Sequence, residues 1–192
     1  MFAVLLDTCV LWPSLQRDFL LSLAVEGLYR PLWPDRILAE LEQCELLKSE
    51  RRGEDCHAAA QRANGLVQAL RSAFDDALVV NWEPYEGTFG LPDPNDEHVV
   101  GAAVVGGADA IVTDNLRDFP VARLPEGISV RSAAEFAADT VAVAPDIARY
   151  AVEVMLRRYR NPPVTVEEAM SLLASRYHMD EAVELLRDGV TR

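Results

Sequence analysis

Short apolar runs alternate along this chain with longer stretches of helical periodicity. Residues 3–6, Ala-Val-Leu-Leu, contain no polar member and predict a short buried strand that stops at Asp7. An apolar helix-like pattern covers 14–26, and a short extended piece, 29–33, leads to Pro34 and Asp35, a pair suited to a helix start. A helix over 35–50 ends in the solvated cluster Lys48-Ser49-Glu50-Arg51-Arg52-Gly53, and a long alanine-rich helix spans 56–74. Leu78-Val79-Val80 predicts a second buried strand, 82–95 a loop, and 96–107 a helix closed by Gly106-Gly107. A third strand is expected over 110–113, a loop over 114–120 and a last short strand over 128–130. Strands this short and apolar, interleaved with helices, imply an α/β fold with a parallel central sheet between helices.

After about Ser132 only helices are expected. One covers 146–160 and is broken by Asn161-Pro162-Pro163; Thr165 opens another with Glu168 completing a capping box; a last one over 179–187 is ended by Gly189. The chain of 192 residues therefore divides into an α/β domain, 1–132, and a helical C-terminal extension, 133–192.

Composition narrows the function. No apolar run is long enough for a membrane span, and the apolar opening has no basic leader and carries Asp7, so neither a membrane segment nor a signal peptide is expected. Cys9, Cys44 and Cys56 show no CxxC spacing and read as free thiols of a cytoplasmic protein. His57, His98 and His178 form no HxxxH or HxH pair, which argues against a histidine-built metal site. The net charge of −13 is the opposite of what phosphate contacts demand, so nonspecific RNA affinity should be low. Two features soften that objection: bound cations would invert the field where acids cluster, and the basic side chains are nearly all arginine, Lys48 being the only lysine.

The acids carry the candidate chemistry. Asp7 stands at the carboxyl end of the first strand, where open parallel sheets bind ligands, although it could equally cap the next turn with Thr8. Glu40 falls on the apolar stripe Ile37, Leu41, Cys44 and Leu47, a costly place for a carboxylate without a partner. Asp93 and Pro94 suit an N-cap and first helical position, with Asp96 at the third, able to serve the helix and a cation together. Asp114 and Asp118 follow the third strand in a loop that also holds Thr113, Asn115 and Arg117. Carboxylates gathered without histidine or cysteine suit Mg²⁺ or Mn²⁺. No GxSxG, Walker-type or GxGxxG motif points elsewhere.

Four segments in order, Asp-Thr-Cys-Val, Pro-Asp-Arg-Ile-Leu-Ala-Glu-Leu, Asp-Pro-Asn-Asp-Glu-His-Val-Val and Thr-Asp-Asn-Leu-Arg-Asp-Phe-Pro, resemble the PIN-domain family, and more narrowly VapC-type ribonuclease toxins. The resemblance spans roughly residues 1–132. It implies a PIN-like three-layer fold and endonucleolytic cleavage of structured RNA. It also implies a site of three or four acids holding one or two Mg²⁺ or Mn²⁺ ions. Asp7, Glu40 and Asp96 match the first three acids. The fourth is divided: the family's usual position falls on Asn115, Asp118 matches the acid used when asparagine stands there, and Asp114 comes second to it. Thr113 and Asn115 would support the site; Arg117 is a candidate phosphate contact, with a solvated surface arginine the favoured reading. The resemblance further implies a homodimer or a hetero-oligomer with a small antitoxin that blocks the site.

Other classes fit less well. A phospho-receiver needs a lysine after a late strand, whereas Lys48 lies at a helix end; an aspartyl-nucleophile phosphatase wants an acid where Cys9 stands. A non-catalytic RNA- or partner-binding module and a housekeeping RNA-processing nuclease remain the alternatives.

Overall fold

In the computed structural model, which describes residues 1–160 and 162–188, β1 (Ala3–Leu6) lies at the centre of the molecule, buried at every position. It is flanked by β2 (Arg30–Pro34) and β4 (Ala110–Val112), with β3 (Leu78–Val79) and β5 (Ser129–Arg131) at the edges. All pairings are parallel, in the order β3-β2-β1-β4-β5. Leu5 is in register with Leu32 on one side and Ile111 on the other. A strand enclosed by two parallel neighbours and by helices has no solvent face, which is why β1 is continuously apolar instead of alternating.

The extended piece before Pro34 is a full strand of this sheet. Its prolines obscured that in the sequence, since proline breaks a ladder. Arg30 N–H bonds Phe2 and Trp33 N–H bonds Ala77, so Pro31 directs its missing N–H toward the β3 side, where pairing starts only at Trp33. The strand at 78–80 is shorter than expected and peripheral, with Val80 exposed.

Helices flank the sheet. The first two are a single turn, α1 (Thr8–Leu11), and α2 (Ser14–Val25). The α1 carbonyls of Val10 and Leu11 accept from the buried side chains of Gln16 and Arg17, which fixes this turn against α2. Next come α3 (Asp35–Arg51), α4 (Cys56–Ala73) and α5 (Glu97–Gly106), the last packed across β1, β2 and β4. At Gly106 a Cβ would come within 2.9 Å of Val79 and 3.0 Å of Leu32, so only glycine lets this end of α5 lie so close to the sheet.

The C-terminal helices are α6 (Ala133–Val143), α7 (Pro145–Leu156), α8 (Val166–Tyr177) and α9 (Asp180–Asp188). The helix expected over 146–160 stops at Leu156. The capping box of Thr165 and Glu168 is present, and Ser132 with Glu135 forms a second one. Gly189, expected to end the last helix, and Asn161, part of the expected break, lie outside the described residues. α7 packs on α2 and α9 on α6, and Phe136 meets Tyr29 edge to face at 4.8 Å. Leu5, Ile111, Met155 and Leu186 belong to one apolar cluster that joins these helices to the sheet. No helix among the described residues is long and apolar enough to cross a membrane.

Candidate active site

The chain fills one side of β1 with β2 and β3, then crosses to the other side with β4 and β5. The carboxyl ends of β1 and β4 thus meet where the order reverses, the usual place for a ligand crevice in an open α/β sheet. Asp7 follows β1 there and is nine-tenths buried, with 9% of its surface exposed. One of its oxygens accepts from Thr8 N–H at 2.6 Å, which caps α1, and the other from the Thr113 hydroxyl at 2.7 Å. The capping reading of Asp7 therefore holds, with the carboxylate at the carboxyl end of β1.

A relay of hydrogen bonds continues from Asp7. The Thr113 hydroxyl accepts from Asn115 N–H at 3.1 Å, and the Asn115 amide donates to the Asp118 carboxylate. Thr113 is fully buried, and its hydroxyl is satisfied by Asp7 and Asn115 N–H together with the Cys9 thiol 3.4 Å away. Asp118 sits on a 3-10 turn, Leu116–Asp118, and is half-buried. Asp114 behaves differently. It is exposed, and its carboxylate accepts from Ala133 N–H at 3.0 Å, tying β4 to the start of α6. Arg117 is exposed on the same 3-10 turn.

Glu40 reaches the site from α3. It accepts from the Thr8 hydroxyl at 2.7 Å and from Arg36, one turn earlier on α3, at 3.3 Å. The stripe expected to bury it is truncated: Ile37 and Leu41 are buried, Cys44 is half-buried, and Leu47 is exposed. Glu40 itself keeps 37% of its side chain in contact with solvent. Its cost is met by these partners instead of by a buried cation alone.

Asp96 is the anomalous group. Asp93 caps the 3-10 turn Pro94–Asp96 as expected, accepting from Asn95 N–H at 2.8 Å, with Pro94 in its first turn. Asp96, the expected third position, instead flanks the start of α5, and its side chain makes no cap bond there. Its Oδ2 is buried without a partner among the described residues. Burial, and then the charges of Asp7, Asp93, Asp118 and Glu40, push its carboxyl up to about 6.

Three participants carried no assignment in the sequence. His98 is buried, with Nδ1 2.6 Å from the Asn95 carbonyl and Nε2 3.6 Å from Glu40. That contact makes Nδ1 the N–H donor of the neutral ring; Nε2 is left unpartnered among the described residues, facing the carboxylate. Burial pulls the His98 imidazole below its ordinary pKa, against the opposing pull of Glu40. Its signal was position alone, two residues after Asp96. Arg36 had the i, i+4 spacing that pairs it with Glu40. Cys9 contacts Asp7 at 3.2 Å and Thr113 at 3.4 Å. Burial and the Asp7 charge push its thiol up to about 12, which keeps it a protonated packing group and not a nucleophile.

The neighbouring Glu97 serves the fold. It is buried and accepts from Phe89 and Leu91 N–H at 3.0 Å each, holding the loop before α5. Burial opposes its ionisation, but those backbone donors outweigh burial and keep its carboxyl below the ordinary range.

Asp7, Glu40, Asp96 and Asp118 thus share one edge, joined by contacts or by mutual repulsion. Their all-oxygen chemistry and the orphaned Asp96 oxygen fit a hard divalent cation. Among the described residues no three His, Cys, Asp or Glu groups are drawn together tightly enough to form a ready coordination cage. The PIN domain family model matches residues 3–117, more than half of the chain. No curated protein and no solved structure matches it.

Proposed function

The chain belongs to the PIN-domain family, a family of generally metal-dependent nucleases, and on that premise we propose that it is a Mg²⁺- or Mn²⁺-dependent endoribonuclease, the toxin of a toxin–antitoxin pair. The observation that carries this reading is Asp96: an oxygen buried and unpartnered among the described residues, on a carboxyl pushed up to about 6 by burial and then by neighbouring acids. Such an arrangement destabilises a protein unless a positive charge is meant to enter it.

Asp7, Glu40, Asp96 and Asp118 would hold one or two ions, with Asp114 next in order and Thr113 and Asn115 supporting. When bound, such ions activate water and stabilise the departing oxygen in phosphodiester hydrolysis. Thr113 and Thr8 N–H hold the Asp7 carboxylate in one orientation, and Asn115 does the same for Asp118. The Thr8 hydroxyl and Arg36 aim Glu40 at the same edge. Hydrolysis adds water across the P–O3′ bond and leaves a 5′-phosphate and a 3′-hydroxyl. Arg117, exposed beside Asp118, would be a weak phosphate contact at most. A small antitoxin offering a basic side chain would complement the acidic edge and close it, and an acidic chain suits such a partner. We place the nuclease domain at 1–132 and the helical extension at 133–192, in a cytoplasmic protein that forms a homodimer or a toxin–antitoxin hetero-oligomer.

End-labelled structured RNAs incubated with the full chain and Mg²⁺ or Mn²⁺ test this, beside EDTA and the variants Asp7→Asn and Asp96→Asn. Cleavage to 5′-phosphate ends, lost with EDTA and in both variants, is the expected result; cleavage that survives both variants refutes the site. One observation favours a second reading, a non-catalytic RNA- or partner-binding module: the carboxylates are not preassembled into a cage. RNA binding without cleavage in either metal would select it. A housekeeping nuclease is separated from a toxin by whether a small antitoxin gene adjoins this one.

A further inference from the structure

A groove of about 740 Å³ lies beside the acidic edge without touching Asp7, Glu40, Asp96 or Asp118. We propose that it binds a single-stranded segment of the RNA substrate, whose bases stack on Trp12, Tyr159 and Tyr177 while Lys48, Arg52 and Arg176 meet its phosphates. This inference rests on the nuclease reading for the identity of the ligand.

Charge comes first. The chain carries −13 overall, yet three cations line this groove against one carboxylate, Asp114. Among the described residues Arg176 makes no ion pair, and its guanidinium lies 5.7 Å from the centre of the Tyr177 ring. Arg52 meets Glu54 only at 4.0 Å. Lys48 is pinned by Glu45 at 3.2 Å, so an arriving phosphate would find the arginines the freer partners.

The aromatic residues argue for a nucleic acid over an acidic peptide, because carboxylates need cations but no ring faces. Trp33 and Trp82 are buried at 0% and 8% exposure, whereas Trp12 shows 39% of its surface. The Tyr159 hydroxyl donates to Asp18 at 2.7 Å, which fixes its ring at the groove wall. Aromatic rings interleaved with guanidinium groups offer a stacking platform tolerant of base identity.

The groove also leads to the acids. Asp114 lines it, donates its N–H to Cys9, and follows Thr113, whose hydroxyl bonds Asp7. Trp12 ends the one-turn helix that Asp7 begins. Residues from both the sheet edge and the C-terminal helices build the walls, which assigns the extension a role in holding substrate.

The test measures binding of a fluorescein-labelled single-stranded RNA 12-mer to the full chain in EDTA, by anisotropy across a salt series. The wild type should show log K against log salt with a slope of about −2, from three phosphate contacts. Arg52→Ala with Arg176→Ala should weaken binding at least about tenfold and flatten the slope to about −0.7. Trp12→Ala should weaken it by about fivefold or more, and Trp12→Phe should restore it, each with a wild-type melting temperature. Arg62→Ala, on α4, should leave affinity unchanged. Unchanged affinity in the groove variants overturns the proposal, as does displacement of the RNA by an equal concentration of a polyglutamate 12-mer. Tighter binding of the matching duplex than of the single strand also overturns it. Wild type that cleaves RNA in Mg²⁺ while groove variants bind normally refutes the groove and leaves the nuclease reading standing. Wild type that binds through the groove but never cleaves refutes the nuclease reading and keeps the groove.

Discussion

In α6 and α8 the acids Glu135 and Glu168 each accept from the backbone and side chain of the residue that caps their helix, and each carboxyl is held below its ordinary range by those bonds. At the sheet edge Asp96 stands in the reverse condition, half-buried beside four other acids and raised to about 6. Glu97, its immediate neighbour, sides with the capping acids because two backbone N–H groups face it. All four positions carry a carboxylate; what differs is whether donors were supplied. Acids that are satisfied stabilise the fold, and the acid left unsatisfied marks where a cation would bring free energy the protein itself withholds.

The contrast breaks most visibly in activity. Asp7→Asn or Asp96→Asn should reduce initial rates of RNA cleavage by about three orders of magnitude. Glu135→Gln should leave them within about twofold; equal losses would mean that both groups of acids act only through folding. Next in size is Glu97→Gln, expected to lower urea-unfolding stability by about 2 kcal/mol at pH 7, because the amide keeps one acceptor but sets its NH2 against one of the Phe89 and Leu91 N–H groups. A wild-type midpoint for that variant would refute the assignment of Glu97 to the loop.

Ser132→Ala removes an N-cap and should cost about 1 kcal/mol. Smallest, and opposite in sign, is the effect of Asp96→Asn on stability. The folded protein retains the Asp96 proton up to about 6, whereas the unfolded chain releases it near the ordinary aspartate value. The stability linked to that proton is complete below the unfolded pKa and is lost as pH rises through about 6. The variant should therefore be more stable than wild type by up to about 1 kcal/mol at pH 8, a figure reduced for partial solvent screening, and equal to it at pH 4. Glu97 runs the other way: its contribution is present above the ordinary carboxylate pKa and lost as pH falls through its depressed value. Unfolding curves at pH 2, 3, 4, 6 and 8 distinguish the two slopes, and Mg²⁺ at pH 8 should stabilise wild type but not Asp96→Asn.

Much of this was legible along the chain. β1 and β4 announced themselves as apolar runs, and α3, α4 and α5 lie within a residue or two of their expected bounds. The Thr165–Glu168 capping box was readable because both partners lie within one helical turn. β2 was harder, since Pro31 hides a strand whose missing N–H is harmless only where β3 has not yet begun. At the site, Asp7, Asp96 and Asp118 were visible as acids beside strand and helix ends, and Glu40 as an acid on the apolar stripe of α3. The division of labour between Asp114, tied to Ala133, and Asp118, tied to Asn115, was not. Nor was His98 beside Glu40, because a lone histidine carries no spacing signal.

Sequence alone determined the elements and which of their ends carry acids, since periodicity, caps and prolines act over a few residues of chain. Tertiary structure alone decided that β4 lies against β1, so that Thr113 could reach Asp7 across 106 residues. It alone left Asp96 without a donor while supplying two to Glu97. Whether a buried charge is satisfied depends on groups brought in from distant segments, and that outcome is set by the packing of the whole sheet and its helices, not by any local stretch of the chain.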